Sequence, residues 1–439
     1  MSTTASATES VHDTKLSPKG RKAIVAGSIG NAVEFVDWAL YSTFSSIFAH
    51  HFFPPGDDLA ALLSTLAIFA VGFIMRPIGA AVMGSYADRH GRKKGLLLTI
   101  TLMASATLVI GISPTFAQVG YLAPVILVLA RLAQGFAAGG EFGSASAFLV
   151  ESAAPKRRAF AGSWQQVSVA SGVLIASALG YVITTALPAE AVDSYGWRIA
   201  FVAAASLGFV GLWLRRSVEE TTSFATGVSR VESAGSADRR NAFVRMVKDH
   251  PKATLRVFGI TIAGTLLYYL WVNFMPTYAA VTTGIPLNQA LLANVIAMVV
   301  FICLLPFGGI LSDTIGRKPT MAAFAGGFLL FAWPAFTLLD GNFWTLLAIE
   351  LIGIVFLVGY SANCAVIMAE QFPPEVRATG IGLPYALAVA IFGGTAPYIT
   401  TWMNTSGYGG WVWAYAAAAA AIGLVVYLTM PETKGKVLD

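Results

Sequence analysis

Gly84-Ser85-Tyr86-Ala87-Asp88-Arg89-His90-Gly91-Arg92-Lys93-Lys94 is a short basic knot set between two long apolar runs. A second knot, Gly309-Ile310-Leu311-Ser312-Asp313-Thr314-Ile315-Gly316-Arg317-Lys318, repeats it. Asp88 and Asp313, Gly91 and Gly316, and Arg92 and Arg317 all stand 225 positions apart. Glu151, Pro155 and Arg158 recur as Glu370, Pro374 and Arg377 at an offset of 219. A period this long excludes a solenoid and predicts two halves of similar build.

Outward from the knots the chain is oil. Hydrophobic residues make up 56% of its 439 positions and charged residues 12%, with a mean hydropathy of +0.69, which leaves too little polar surface for a water-soluble protein. A helix needs roughly 20 apolar residues to cross a bilayer. Twelve runs meet that length, at 23–49, 59–86, 95–113, 119–149, 160–187, 197–215, 253–281, 288–312, 319–338, 343–369, 378–402 and 408–430. The expected fold is an all-α membrane protein of twelve transmembrane helices in two pseudo-symmetric six-helix bundles. Its divisions are a tail at 1–22, bundles at 23–215 and 253–430, a linker at 216–252 rich in Ser, Gly, Glu and Arg, and a tail at 431–439. The linker is expected to be partly helical near Ala242–Asp249.

All 28 Lys and Arg except Arg76, Arg131 and Arg198 fall in the tails, the linker region, or the loops after spans 2, 4, 8 and 10. These loops share one side, which the positive-inside rule makes cytoplasmic, with both termini there. The formal charge of +5 therefore reads as membrane orientation, not as a nucleic-acid surface. Cys303 and Cys364 lie inside apolar runs, so no disulfide framework exists. No Gly-x-x-x-x-Gly-Lys-[Ser/Thr] loop occurs, which argues against ATP hydrolysis. The N-terminal tail lacks the apolar core of a cleaved signal peptide.

In each knot a glycine permits a tight turn, and Asp88 or Asp313 stands at a helix end where arginines can pair with it. Such a clasp joins two helices on one face; the plain alternative is a positive-inside anchor. Ionisable groups within a span are costly and need a partner or a task. Span 1 carries Glu34 and Asp37, three apart and so on one face; span 4 carries Arg131 and Glu141. An arginine keeps its proton, so Arg131 would act by holding a neighbouring carboxylate ionised until binding or opening changes the contact. Asp37 is the first choice for that carboxylate, then Glu34, then Glu141; the alternative is a permanent structural ion pair.

Gly-x-x-x-Asp-x-x-Gly-Arg-Lys after the second span of each half resembles the signature loop of the major facilitator superfamily. Gly30-Asn31-Ala32-Val33-Glu34-Phe35-Val36-Asp37, Arg76-Pro77-Ile78-Gly79, Gln134-Gly135 with Gly139-Gly140-Glu141-Phe142-Gly143, and Gly196-Trp197-Arg198-Ile199 are similar to its metabolite:proton symporter branch. Within that branch the wording resembles 2-oxoglutarate permeases, with proline/betaine and shikimate carriers as relatives. The resemblance runs from about Gly30 to Met430 and implies alternating access to one central site.

By the same resemblance, Gly84, Asp88, Gly91, Arg92, Asp313, Gly316 and Arg317 gate conformational change, with Glu151, Arg158, Glu370 and Arg377 alongside them. Leu127-x-x-x-Arg131-x-x-Gln134-Gly135 resembles the span-4 motif linked to proton transfer, and spans 1 and 4 line the cavity of the first half. The absence of any Gly-Pro dipeptide removes the element that marks drug/proton antiporters of the superfamily.

An anionic substrate needs a cation, and Arg131 is the expected one, since Arg76 precedes Pro77 near the inner end of span 2 and Arg198 stands at the outer end of span 6. A dicarboxylate would want two, which leaves room for a monocarboxylate or a zwitterion. The remaining expected lining is Trp164, Gln165, Gln166, Tyr268, Tyr269, Asn273, Asn294, Tyr360, Asn363 and Tyr385, against the alternative of interhelical hydrogen bonds or lipid-facing aromatics. Gly135-x-x-x-Gly139 and Gly393-Gly394 permit close helix approach. Pro276, Pro306, Pro384 and Pro397 are expected to kink or soften helices of the second half. His50 and His51, at the outer end of span 1, suit interfacial anchoring or pH sensing.

The sequence thus predicts a non-enzymatic transporter of the plasma (inner) membrane: a proton-coupled symporter taking up a small organic acid, a 2-oxo acid, dicarboxylate or monocarboxylate. Its expected partners are the substrate, protons and lipid, with no cofactor beyond the coupling proton, and the chain is expected to act as a monomer. The rivals are a proline/betaine osmolyte symporter, a proton-independent facilitator, and a receptor that binds without transporting.

Overall fold

The computed structural model describes residues 18–90, 92–139, 141–151, 153–216, 245–374 and 376–436. Every regular element among them is helical. Apolar runs with no strand partner leave the backbone one way to satisfy its N–H and C=O groups in lipid, which is to coil on itself. Among the described residues nine helices are long and apolar enough to cross a membrane. Two shorter apolar helices, Leu97–Ile112 and Leu122–Ala138, take the third and fourth places, and Pro18–Phe52 takes the first. These are the twelve spans.

Several run past the lengths expected of them. Span 1 extends over Pro18–Phe52 and span 2 over Asp58–His90, so both project beyond a lipid core on the side of the basic loops. Span 4 is not one rod: Phe116–Val119 stands apart, and Leu122–Ala138 is followed by Glu141–Glu151. Span 6 begins early, at Ala189, through a π-turn at Val192–Gly196. Of the linker, only residues from 245 onward are described, and 245–249 are helical.

Two of the expected proline effects are visible. The π-turns Tyr269–Phe274 in span 7 and Val389–Gly393 in span 11 directly precede Pro276 and Pro397. A proline lacks the N–H that would bond the carbonyl four residues back and crowds that carbonyl, so the preceding turn widens. Val272 is four residues before Pro276, and its carbonyl accepts instead from Asn294 Nδ2 of span 8 at 3.4 Å.

Lipid tails are as apolar as leucine, so close packing at small residues, and not oil-burial, joins the spans. A Cβ added to Gly135 would collide with the carbonyl of Gly72, and one added to Gly139 with that of Arg76. Spans 2 and 4 therefore touch backbone to backbone. The halves meet chiefly where span 5 packs on span 8, with further contacts of span 4 on spans 10 and 11 and of span 2 on span 11. Span 7 has 78% of its apolar window buried and span 10 has 72%, whereas span 12 has 33%. Spans 7 and 10 thus face the centre, and span 12 lies at the periphery.

Candidate substrate and proton site

Between the halves, at mid-depth, lies a space lined by Phe35, Phe142, Gln166 and Val169 from the first half and by Thr265, Tyr268, Tyr269, Tyr360, Cys364 and Tyr385 from the second. Two contacts cross it: Phe142 stacks on Tyr385 with centroids 3.8 Å apart, and Gln166 Nε2 reaches Cys364 Sγ at 3.2 Å. The hydroxyls of Thr265, Tyr268, Tyr269 and Tyr360 are buried without a hydrogen-bond partner among the described residues. Buried polar atoms are normally satisfied, so four converging orphans mark a surface built for a polar guest.

Two ion pairs flank span 1. Asp37 is held by three donors: Arg131 Nη1 at 3.0 Å, Thr107 Oγ1 at 2.8 Å and Gln134 Nε2 at 2.7 Å. Arg131 is fully buried, with its guanidinium 3.5 Å from the Tyr41 ring centroid. One turn away, Arg76 Nη2 donates to Glu34 Oε1 at 3.1 Å, and the guanidinium carbon lies 4.6 Å from the ring centroids of both Trp38 and Phe73, which pack on each other at 4.1 Å.

The placement of these pairs corrects the sequence reading. Asp37 and Arg131 are enclosed among spans 1, 3 and 4 and do not line the central space, so Arg131 is not positioned to hold a substrate. Arg76, read as lying near the end of span 2, lies 14 residues before that helix stops at His90. Its guanidinium lies 4.6 Å from the Phe73 ring, which meets Tyr269 of the lining edge-on at 5.1 Å. The cation at the margin of the cavity is therefore Arg76.

Of the other expected lining residues, Gln166, Tyr268, Tyr269, Tyr360 and Tyr385 converge on the space. Trp164 does not: it is 48% exposed on the outer surface, edge-on to Phe160. Gln165 is buried within the first half, where its Oε1 accepts from Ser146 at 2.9 Å. Asn363 is used between helices, donating to Thr320 Oγ1 at 3.1 Å and the Gly359 carbonyl at 2.7 Å. Asn273 is buried in the π-turn, away from the lining. Asn294 bonds Ser177 and Val272. The side chain of Glu141 lies outside the described residues, as do those of Gly84, Asp88 and Arg92 and the whole of Gly91.

The second knot is fully described. Gly316 has φ +112°, a left-handed value that favours glycine and turns the chain between spans 8 and 9. Asp313 accepts from Arg317 Nη1 at 2.9 Å and from the backbone N–H groups of Ala159 and Phe160 at 3.1 and 3.0 Å. Those two groups open span 5, so a carboxylate of one half caps a helix of the other. Of the repeated Glu and Arg pair, Arg377 Nη1 bonds Glu151 across the halves at 2.5 Å, while Glu370 accepts from Arg317 Nη2 of the knot at 3.3 Å.

A strap after span 12 locks this face, a feature the sequence reading missed. Glu432 accepts from the N–H groups of Arg317 and Lys318, each at 3.0 Å; Thr433 bonds Glu370; and Arg158 Nη1 of the first half reaches the Lys436 carbonyl at 2.6 Å. Burial pushes the Glu432 carboxyl up, but the N–H groups of Arg317, Lys318, Lys434 and Thr433 together hold it below the usual glutamate range. On the opposite face the halves meet through Ser177 with Asn294, at 2.8 Å, and through Thr277 with the Ser42 carbonyl, at 3.2 Å. Contacts between the halves thus stand on both sides of the central space.

Known proteins bear on this architecture. The family model described as Major Facilitator Superfamily matches residues 27–383 and 257–438. The chain is 37% identical to the alpha-ketoglutarate permease of Escherichia coli over 94% of each chain. It is 35% identical to the citrate-proton symporter of Klebsiella pneumoniae over 86% of this chain and 84% of that one. It is 31% identical to the proline/betaine transporter of Salmonella typhimurium over 96% of this chain and 85% of that one. Its fold matches the xylose transporter XylE from E. coli in a partially occluded inward open conformation, with a TM-score of 0.72 at 19% identity over 95% and 99% of the two chains. The duplicated knots, the twelve spans and the central space between the halves belong together: the chain is a multi-pass secondary transporter of the major facilitator superfamily.

Proposed function

We propose that the protein is a proton-coupled symporter of a small organic acid, with Arg76 as the substrate anchor and Glu34 as the group that carries the proton. The observation that carries this reading is the Arg76–Glu34 pair, 3.1 Å long, at the edge of a cavity where the hydroxyls of Tyr268, Tyr269 and Tyr360 close no hydrogen bond among the described residues. Glu34 holds Arg76 through Nη2, and a carboxylate that takes two of the N–H donors in parallel makes the stronger pair. An incoming carboxylate competes with Glu34 for them, and Glu34, losing its counter-charge in a dry site, takes up a proton. Substrate and proton then enter together. Tyr269 and Tyr385 orient the acid, and Gln166 and the neighbouring phenols supply uncharged hydrogen bonds that release it on either side. Similarity to permeases and symporters of 2-oxo and tricarboxylic acids supports this class.

In this reading the face with the basic loops lies in the cytoplasm with both termini, which the positive-inside rule supports, and the chain works as a monomer. The Asp37–Arg131 cluster keeps the first half's packing in register and contributes no substrate contact.

One observation favours a second reading. The cavity presents four tyrosines and one cation that is already paired, which suits a quaternary ammonium zwitterion held by aromatic faces. Uptake into proteoliposomes of labelled 2-oxoglutarate, citrate, lactate, proline and betaine, with and without an acid-outside gradient, separates the two. Gradient-driven accumulation of an acid supports the first reading; accumulation of betaine alone selects the second; transport indifferent to the gradient and to protonophore removes proton coupling.

A further inference from the structure

Glu350 has no part in the site above. It sits in span 10, seven residues from the helix start at Phe343, fully buried, and neither carboxylate oxygen has a hydrogen-bond partner among the described residues. The elements packed on this helix are spans 7, 8 and 9. Their titratable groups give it no counter-charge. Tyr268 and Tyr269 turn to the central space, and Tyr278 lies beyond the π-turn towards the opposite face. Lys252, Arg256, Asp313, Arg317 and Lys318 stand near the basic-loop ends, while Cys303 is exposed on span 8. On span 10 itself the other such groups are Tyr360, ten residues on, and Cys364, both of which line the central space. An anion in these surroundings lacks both water and a cation, so the buried form carries its proton.

The polar side chain beside Glu350 is the amide of Asn294, which closes no regular hydrogen bond with it. That amide is already used: Nδ2 donates to the carbonyl freed by Pro276, and Oδ1 accepts from Ser177 of the other half. Leu291, one turn before Asn294, packs against Gly180 at the same seam. Glu350 therefore lies one side chain behind a contact between the halves, on the face opposite the basic loops.

We propose that Glu350 is a proton-binding site that gates closure of this face: deprotonated when the halves part there and Asn294 and water can solvate it, protonated before Ser177 and Asn294 can meet again. The gating proton returns to the side it came from, so the site sets the pH dependence of closure without adding to the transported proton. The inference needs the halves to part but not the organic-acid reading.

The test is labelling of Leu291→Cys by a membrane-impermeant maleimide, in a Cys303→Ser, Cys364→Ala background, between pH 6 and pH 9. Rates are divided by those of a surface thiol made by Tyr195→Cys in the same background. The normalised rate is expected to rise with pH, by at most about tenfold per unit for one linked proton, and Glu350→Gln is expected to remove the rise. A flat profile with Glu350 intact overturns the proposal, and that arm stands even if Glu350→Gln does not fold. An equal rise in Glu350→Gln also overturns it, by assigning the effect to another group. If uptake proves uncoupled from protons while the labelling result holds, the symport reading fails and this one stands.

Discussion

Arg76 and Arg131 lie against the same indole, their guanidinium carbons 4.6 and 5.3 Å from the centroid of the Trp38 ring. One arginine serves a pair at the edge of the central space, the other a pair sealed inside the first bundle. Trp38 is itself fully buried and separates the two charges.

The sealed pair makes its own prediction. Asp37→Asn leaves the Arg131 cation buried without its counter-charge, and breaking a buried pair in this way costs about 3–5 kcal/mol. A marked fall in the thermal unfolding midpoint of the purified protein is expected. Restored stability is expected when Arg131→Met is added, because an apolar side chain removes the orphaned charge. An unchanged midpoint in Asp37→Asn would show that the pair is not structural.

Arg76 is expected to tolerate no conservative change. Lysine keeps the charge but loses the planar fork and its contact with the Trp38 and Phe73 rings. Arg76→Lys should raise the apparent KM for an acid by about tenfold or more, equivalent to about 1.4 kcal/mol, with a smaller effect on thermal stability. Zwitterion uptake surviving in Arg76→Gln would favour the osmolyte reading.

The clasp on the basic-loop face has a pH sign. Glu432, held below the ordinary glutamate value of 4.5, contributes to closure while ionised. The contribution is complete above that value and is lost as pH falls through the lowered one. Glu432→Gln should reproduce the acid effect at neutral pH, seen as faster proteolysis or thiol labelling of this face, and Arg377→Ala should open it further by removing the cross-half bond to Glu151.

Hydropathy and repetition made the twelve spans and the duplicated knot legible, because both are one-dimensional signals. Facing was not legible. Spans that are apolar on all sides carry no stripe to say which residues look inward, so Trp164 was assigned to the cavity although it lies on the outer surface. Depth failed for a related reason: span 2 projects beyond the lipid, and the distance from Arg76 to the true helix end was underestimated. Glu350 was overlooked within Leu346–Leu357, although a carboxyl among leucines and isoleucines was signal enough. The strap around Glu432 could not be read from the sequence, because backbone N–H donors leave no mark in the residue types.

The most direct measurement compares the wild-type protein and Glu34→Gln in proteoliposomes, following labelled acid and internal pH together. With an acid-outside gradient the wild-type protein should accumulate the acid and acidify the inside as it does so. Glu34→Gln should still exchange labelled for unlabelled acid but accumulate none. Gradient-driven accumulation by Glu34→Gln at the wild-type proton ratio would contradict the trade of a proton for a carboxylate at Arg76.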